Sequence, residues 1–280
     1  MSKRFNIRKT MIYHDYYSRL KAIATAVFEW EGLPKSCNAR FLENCLFHYG
    51  QAIFIEDEDM GFLNLKGVCA STLNVYNEPT SYHAFSTGYS KMYDAGDCVF
   101  IRNNILEKST ESTIIIYAEK LARLDIMWEV NVNAQKTPVL VRCDEKTRTS
   151  LEAIYNQYEG DRPVIFGTKS LQEKPLEVLK TEAPFVADKL REEKRAVWNE
   201  ALEFLGINTN PSDKKKERLV VNEVEANNEQ IDIQSATMLM CRQEACKLIN
   251  ERFGLQVSVK ARVEELQDLM KIPHTEEGGE

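Results

Sequence analysis

With 280 residues, 43% of them hydrophobic, the chain carries enough apolar material for a buried core and has room for one elongated domain or two to three compact ones. A formal charge of −7 and a pI near 5.4 exclude a protein that wraps nucleic acid by charge alone, while a passing encounter with a polyanion stays open. The seven cysteines are an odd number with no CxxC or zinc-type spacing, so they read as reduced, packed thiols, and no metal or cofactor is expected.

Residues 1–10 hold Lys3, Arg4, Arg8 and Lys9 and no acid, which makes either a frayed terminus or a docking arm for nucleic acid. No apolar core of a signal peptide follows, and no run approaches the roughly 20 residues of a membrane span, so a soluble, intracellular chain without a membrane partner is expected. From Ile12 to Gly32, Tyr13, Tyr16, Leu20, Ile23 and Val27 recur at spacings of three and four, which predicts a helix stopped by Gly32 and Pro34. A second helix follows from about Asn38, with Leu42, Cys45, Leu46 and Tyr49 on one face and Gly50 as its C-cap.

Between Gln51 and Asn104 the period changes to two, in short runs broken by Gly61, Gly67, Pro79, Gly88 and Gly96. This predicts a small antiparallel sheet or barrel. Asp57, Glu58 and Asp59 read as a solvated turn, since EF-hand spacing is missing.

Ser109 or Thr110 can cap the next helix, which runs to about Val132 and would be a strut of about 35 Å. An α/β insert follows: a strand after Pro138, a short helix Ser150 to Tyr158, a strand Pro163 to Phe166 and a third at Leu176 to Leu179. A second strut, Phe185 to Leu205, has its apolar stripe at Val186, Leu190, Val197, Ala201, Leu202 and Leu205, with Lys189, Glu192, Glu193 and Glu200 opposite and Gly206 as its stop.

Then comes a polar run far longer than the usual connection of about 4–6 residues. Residues 207–230 hold four basic and five acidic side chains, a net of −1. A third long helix, about Glu229 to Phe253, a strand LQVSVK, a terminal helix Arg262 to Met270 and an acidic tail complete the chain. The acidic pairs Asp144/Glu145 and Glu192/Glu193 could serve a magnesium nuclease, but adjacent acids on one helix point in different directions and no motif places a base beside them. No GxxxxGK[ST] phosphate loop occurs, and the chain is read as not an enzyme.

Several longer stretches occur in order: FEWEGLP (28–34), NAQKTPVLVR (133–142), IYNQYEGDRPVIF (154–166), KTEAPFVADKL (180–190), AVWNEALEFLGI (196–207), KKERLVVNEV (215–224), NEQI (228–231) and EACKLINERFGLQVSVKAR (244–262). In these the chain resembles the upper collar protein (head-tail connector, portal) family of small short-tailed phages with protein-primed genomes.

The resemblance implies an α+β, mainly α-helical portal fold with long stem helices, a small β-rich (SH3-like or barrel) wing and an α/β clip. In chain order the expected parts are a basic arm with wing helices (1–50), the wing (51–108), a stem helix (109–132), the clip (133–184), a second stem helix (185–206), a channel loop (207–230) and a C-terminal helix, strand and wide-end helix (231–280). Copies of the chain, usually about twelve, would form a ring at one capsid vertex of the virion, assembled in the host cytoplasm. Double-stranded DNA is packaged, retained and ejected through the ring's axis.

Implied partners are the major capsid and scaffolding proteins, a separate packaging ATPase, a packaging RNA, and the lower collar and tail proteins. By their places in KTEAPFVADK, Lys180 and Lys189 would form rings of charge facing DNA, whose phosphates lie about one per 1.7 Å of duplex. The same role falls to Lys214, Lys215, Lys216 and Arg218 of the loop. Lys3, Arg4, Arg8 and Lys9 would meet the packaging RNA or motor. The alternative is a structural collar or adaptor ring that does not contact DNA.

Overall fold

The computed structural model describes residues 3–70, 72–135, 139–143, 164–168, 176–178, 184–207 and 221–262. They form two compact units, Met1–Lys120 with Val197–Glu280, and Leu121–Ala196.

The first unit opens with α1 (Lys3–Ala24), so the basic terminus is helical from Lys3. The helix ends well before Gly32, unlike its sequence expectation. The Thr25 hydroxyl turns back to donate to the Lys21 carbonyl at 2.9 Å, and the next residues form strand β1 (Phe28–Glu31). That strand pairs antiparallel with β10 (Ser258–Ala261), Phe28 opposite Ala261. Helical spacing in residues 12–28 therefore hides a strand whose partner lies at the far end of the chain.

Helix α2 (Ala39–Tyr49) begins and ends where its sequence predicts. The Asn38 side chain accepts from the Phe41 N–H at 3.0 Å, and Gly50 adopts a left-handed conformation with its own N–H on the Leu46 carbonyl. Five strands follow: β2 (Gln51–Asp57), β3 (Gly61–Cys69), β4 (Ser81–Ser86), β5 (Tyr89–Asp94) and β6 (Cys98–Arg102). They form one antiparallel sheet in the order β5-β4-β3-β2-β6.

Ile53, Ile55, Leu65, Ala84, Tyr93 and Cys98, drawn from all five strands, pack into a single cluster, so the sheet curls around its own core. On β2 the alternating residues Ala52 and Phe54, which face the other way, are also fully buried. Phe54 leans on Phe62 and on Phe253 at the end of α5 (Val221–Phe253). β2 is thus covered on both faces, which is why QAIFIE reads as a nearly continuous apolar run.

Asp57 corrects one expectation. It is buried, not part of a solvated turn. Its carboxylate accepts from the backbone N–H groups of Asp59 and Met60 and from the Tyr89 hydroxyl at 2.7 Å, with the Lys91 ammonium 3.6 Å away. The Tyr89 hydrogen bond, helped by those amides and Lys91, holds its pKa at about 2. Because the folded value lies below the ordinary one near 3.8, Asp57 contributes stability above about pH 4 that is lost as pH falls toward 2. Asp57→Asn should therefore flatten that part of the profile: the melting temperature of the variant relative to the parent rises on going from pH 4 to pH 2, and parallel curves would contradict the assignment.

Helix α3 (Glu111–Ala134) starts at the expected cap, with the Ser109 hydroxyl accepting from the Glu111 N–H at 3.1 Å. It leads into the second unit, which holds the three-stranded sheet β8-β7-β9 (Val164–Thr168, Val139–Cys143 and Leu176–Val178). β8 runs parallel to β7 and β9 antiparallel to it. All three strands stand where the sequence predicts, while the short helix Ser150 to Tyr158 lies outside the described residues. Helix α4 (Ala187–Phe204) returns the chain to the first unit, and Gly206 ends it. Helix α5 begins at Val221, earlier than its predicted start, so part of the expected loop is helical. The terminal helix Arg262 to Met270 lies outside the described residues beyond its first position.

Candidate nucleic-acid interface

Lys189 sits in the first turn of α4, a helix whose local sequence offers no capping side chain: the residue before it is Val186. A residue of α3 does this work. The Asn131 Oδ1 accepts from the Val186 N–H at 3.0 Å, and its Nδ2 donates to the Pro184 carbonyl at 2.9 Å. Two turns further on, the Lys194 ammonium meets the Asp125 carboxylate at 2.5 Å. These contacts, 131 with 184–186 and 125 with 194, set the two helices antiparallel within the second unit.

Of the predicted stripe of α4, Val197, Ala201, Leu202 and Leu205 are buried and Val186 and Leu190 half-buried, and Ala187 is buried beside them. Lys189, Glu192, Glu193 and Glu200 are exposed on the other side. Asp188 suits the positive end of the helix dipole, whereas a lysine in the first turn opposes it by about 0.3–1 kcal/mol. Helix stability alone therefore does not account for Lys189.

The remaining residues implicated by sequence divide by position. Arg8 and Lys9 are exposed on α1, which also carries Lys3 and Arg4 in its first turn. Lys180, Lys214, Lys215, Lys216 and Arg218 lie outside the described residues. Among the described residues no group of three or more His, Cys, Asp or Glu could hold a metal ion, and no helix is long and apolar enough to cross a membrane.

Sequence reasoning missed the polar node that fixes α5. The Arg242 guanidinium is 2% exposed and reaches Glu43 of α2 bidentately, Nε to Oε1 at 2.9 Å and Nη2 to Oε2 at 2.8 Å. Its other donors go to the Met238 carbonyl and to the carbonyl and side-chain oxygen of Asn103. The ring of Phe28 lies 4.0 Å beneath it. Glu43 in turn accepts from the Trp30 indole at 2.7 Å. The hint in the sequence is an arginine on the apolar face formed by Met238, Ala245 and Ile249; its partner, 199 residues away, carries no such hint.

A second node joins three helix ends. Glu111 accepts from the Tyr17 hydroxyl and pairs with His48 Nδ1 at 2.9 Å, while His48 Nε2 meets the Lys21 ammonium at 2.8 Å. An ammonium can only donate, so Nε2 accepts and the ring proton sits on Nδ1, facing Glu111. Burial works against ionisation of Glu111, but the Tyr17 and His48 hydrogen bonds prevail and its pKa is lowered.

The family described as Phage Connector (GP10) matches residues 2–267 of the chain. Among solved structures, a chain of the portal and tail of native bacteriophage P68 is similar over 96% of this chain and 93% of its own, at 15% identity and a TM-score of 0.53. A chain of the virion of a native gene transfer agent particle aligns over 90% and 81% at 11% identity, with a TM-score of 0.47. An HK97-family phage portal protein from Corynebacterium diphtheriae aligns over 95% and 98% at 12% identity, with a TM-score of 0.42.

Proposed function

The chain belongs to the phage connector family, and from that premise we propose that copies of it form a ring whose axial channel passes double-stranded DNA during packaging and ejection. It is a head-tail connector, or portal, of a phage virion. On this reading it meets capsid and scaffolding proteins on one side and, in succession, a packaging motor and the tail on the other. Its own part is structural, with ATP hydrolysis left to a separate packaging ATPase and a packaging RNA as a further partner. The family match over nearly the whole chain carries this reading.

Within the ring, α3 and α4 are the stem, residues 133–184 the clip and the curled sheet the wing. Lys189, exposed on a turn anchored by Asn131, becomes a ring of cations toward the DNA, joined by Lys180. The residues after Gly206 form the channel loop with Lys214, Lys215, Lys216 and Arg218. Residues 207–230, of which 221–230 open α5, balance four basic against five acidic side chains, which suits DNA in passage. Uncompensated cations would release more counterions and hold the duplex in place. The basic first turns of α1, with Lys3, Arg4, Arg8 and Lys9, are assigned to the motor side.

Lys189→Glu tests the DNA contact. Assembled rings should bind duplex DNA with a salt slope shallower by about 0.9 for each phosphate that Lys189 neutralises. Packaged DNA should be retained several-fold less well. Unchanged slope and retention would favour the adaptor ring that does not touch DNA.

A further inference from the structure

The described residues between β3 and β4, Ala70 and Thr72–Thr80, form a hairpin extension that ends in apolar side chains. Its rungs are the Ala70 N–H to the Ser81 carbonyl, the Thr80 N–H to the Thr72 carbonyl and the Asn74 N–H to the Glu78 carbonyl, at 3.0, 3.0 and 2.8 Å. At the tip the Asn74 Oδ1 accepts from the N–H groups of Tyr76 and Glu78 at 2.8 and 2.9 Å, and its Nδ2 donates to the Glu78 carboxylate at 2.8 Å. What this small framework presents is Val75, 90% exposed, and Tyr76, 80% exposed. An aromatic anchor held in place beforehand loses little entropy on binding, which is how a few residues come to dominate an interface.

The same unit carries an apolar groove. A groove of about 750 Å³ runs between the segment after β6, the end of α4 and α5, where Ile105, Leu106, Phe204 and Met238 line it with Lys108 at its edge. Its outer wall is fixed in the same manner as the tip, by the Asn104 Oδ1 accepting from the N–H groups of Leu106 and Lys108. Ile105 and Leu106 are 59% and 75% exposed, so the chain does not fill this groove with its own hairpin.

The two features also leave the sheet at the same end. Gln51 at the start of β2 pairs with Arg102 at the end of β6, and β3 runs antiparallel to β2, with Ile53 opposite Leu65. The hairpin after Cys69 and the groove wall after Arg102 therefore leave the sheet at one end.

We propose that the Val75–Tyr76 tip of each copy seats in the Ile105/Leu106/Phe204/Met238 groove of the next, as the head-to-tail contact that closes the ring. This rests on the ring reading above. A knob and a groove on the same chain, both at one end of its sheet, make a heterologous interface without a second partner. Glu78 beside the tip and Lys108 beside the groove are opposite in sign, which orients the insertion.

The purified full-length chain is studied by analytical ultracentrifugation and negative-stain imaging. Tyr76→Ser and Leu106→Asp, both at exposed positions, should each melt like the parent and each raise the concentration needed for rings at least tenfold. Mixed together, they keep one intact tip and one intact groove, so one-to-one dimers form and rings do not. Glu78→Lys weakens assembly and Lys108→Glu added to it restores assembly. Rings at parental concentrations in either single variant, or no dimers in the mixture, overturn the proposed contact while leaving the ring reading in place. A parent that stays monomeric overturns the ring reading itself.

Discussion

Arg242→Met lowers the stability of the folded chain by about 3–5 kcal/mol, the range for removing one partner of a buried ion pair. The loss comes less from the missing attraction than from what is left behind. Glu43, 4% exposed, would keep its Trp30 hydrogen bond but lose both guanidinium contacts. The Asn103 side-chain oxygen and the Met238 carbonyl would lose donors as well. Methionine fills most of the volume and can still lie on the Phe28 ring, so packing is nearly conserved and the electrostatic part is isolated.

Urea denaturation of the isolated chain measures the effect. The double variant Glu43→Leu/Arg242→Met should recover part of the loss, because an apolar pair of similar volume removes the stranded charge. Recovery stays incomplete, since the Trp30 indole loses Glu43 and the Asn103 oxygens lose Arg242, at about 1–3 kcal/mol for each buried group. If Arg242→Met melts like the parent, the node is not what holds α5 against α2.

Gly50→Ala is expected to cost about 2–5 kcal/mol, from two separate sources. The residue caps α2 at φ +78°, where an L side chain is strained by about 1–2 kcal/mol. In addition, a Cβ there would stand 2.3 Å from the Glu107 carbonyl oxygen and 2.8 Å from the Ser109 nitrogen. These are backbone atoms of the segment that caps α3, and they cannot rotate away. Gly88 supplies the control, having the same φ of +78° with open space around it. Gly88→Ala should therefore cost only the conformational part. Equal losses in the two variants would mean that the 107–109 segment yields freely.

Much of the architecture is legible in the residues themselves, because it depends on local rules. Asn38 and Gly50 bracket α2 through capping geometry, and the stripe from Leu190 to Leu205 tells which face of α4 is buried. The strands of the insert show as short branched runs. Two readings go astray for a physical reason: residues 28–31, expected to continue the helix, form a strand because their hydrogen-bond partners are residues 258–261. Asp57 looks like one acid of three in a turn, and only the approach of Tyr89 from another strand makes it a buried carboxylate.

On its own, then, the sequence determined the periodicities, the caps, the exposed face that carries Lys189 and the resemblance that the family match bears out. Tertiary structure decided which distant groups meet. Asn131 caps α4 because α3 passes beside it, and Arg242 finds Glu43 across 199 positions. The turns that hold Val75 and Tyr76 are local, but the tip and the groove stand at one end of the sheet only because β3 and β6 both run antiparallel to β2. Local propensity acts over a few residues. A buried charge, a borrowed cap or a complementary surface depends on chain segments brought together by packing, and no short window of sequence contains both halves.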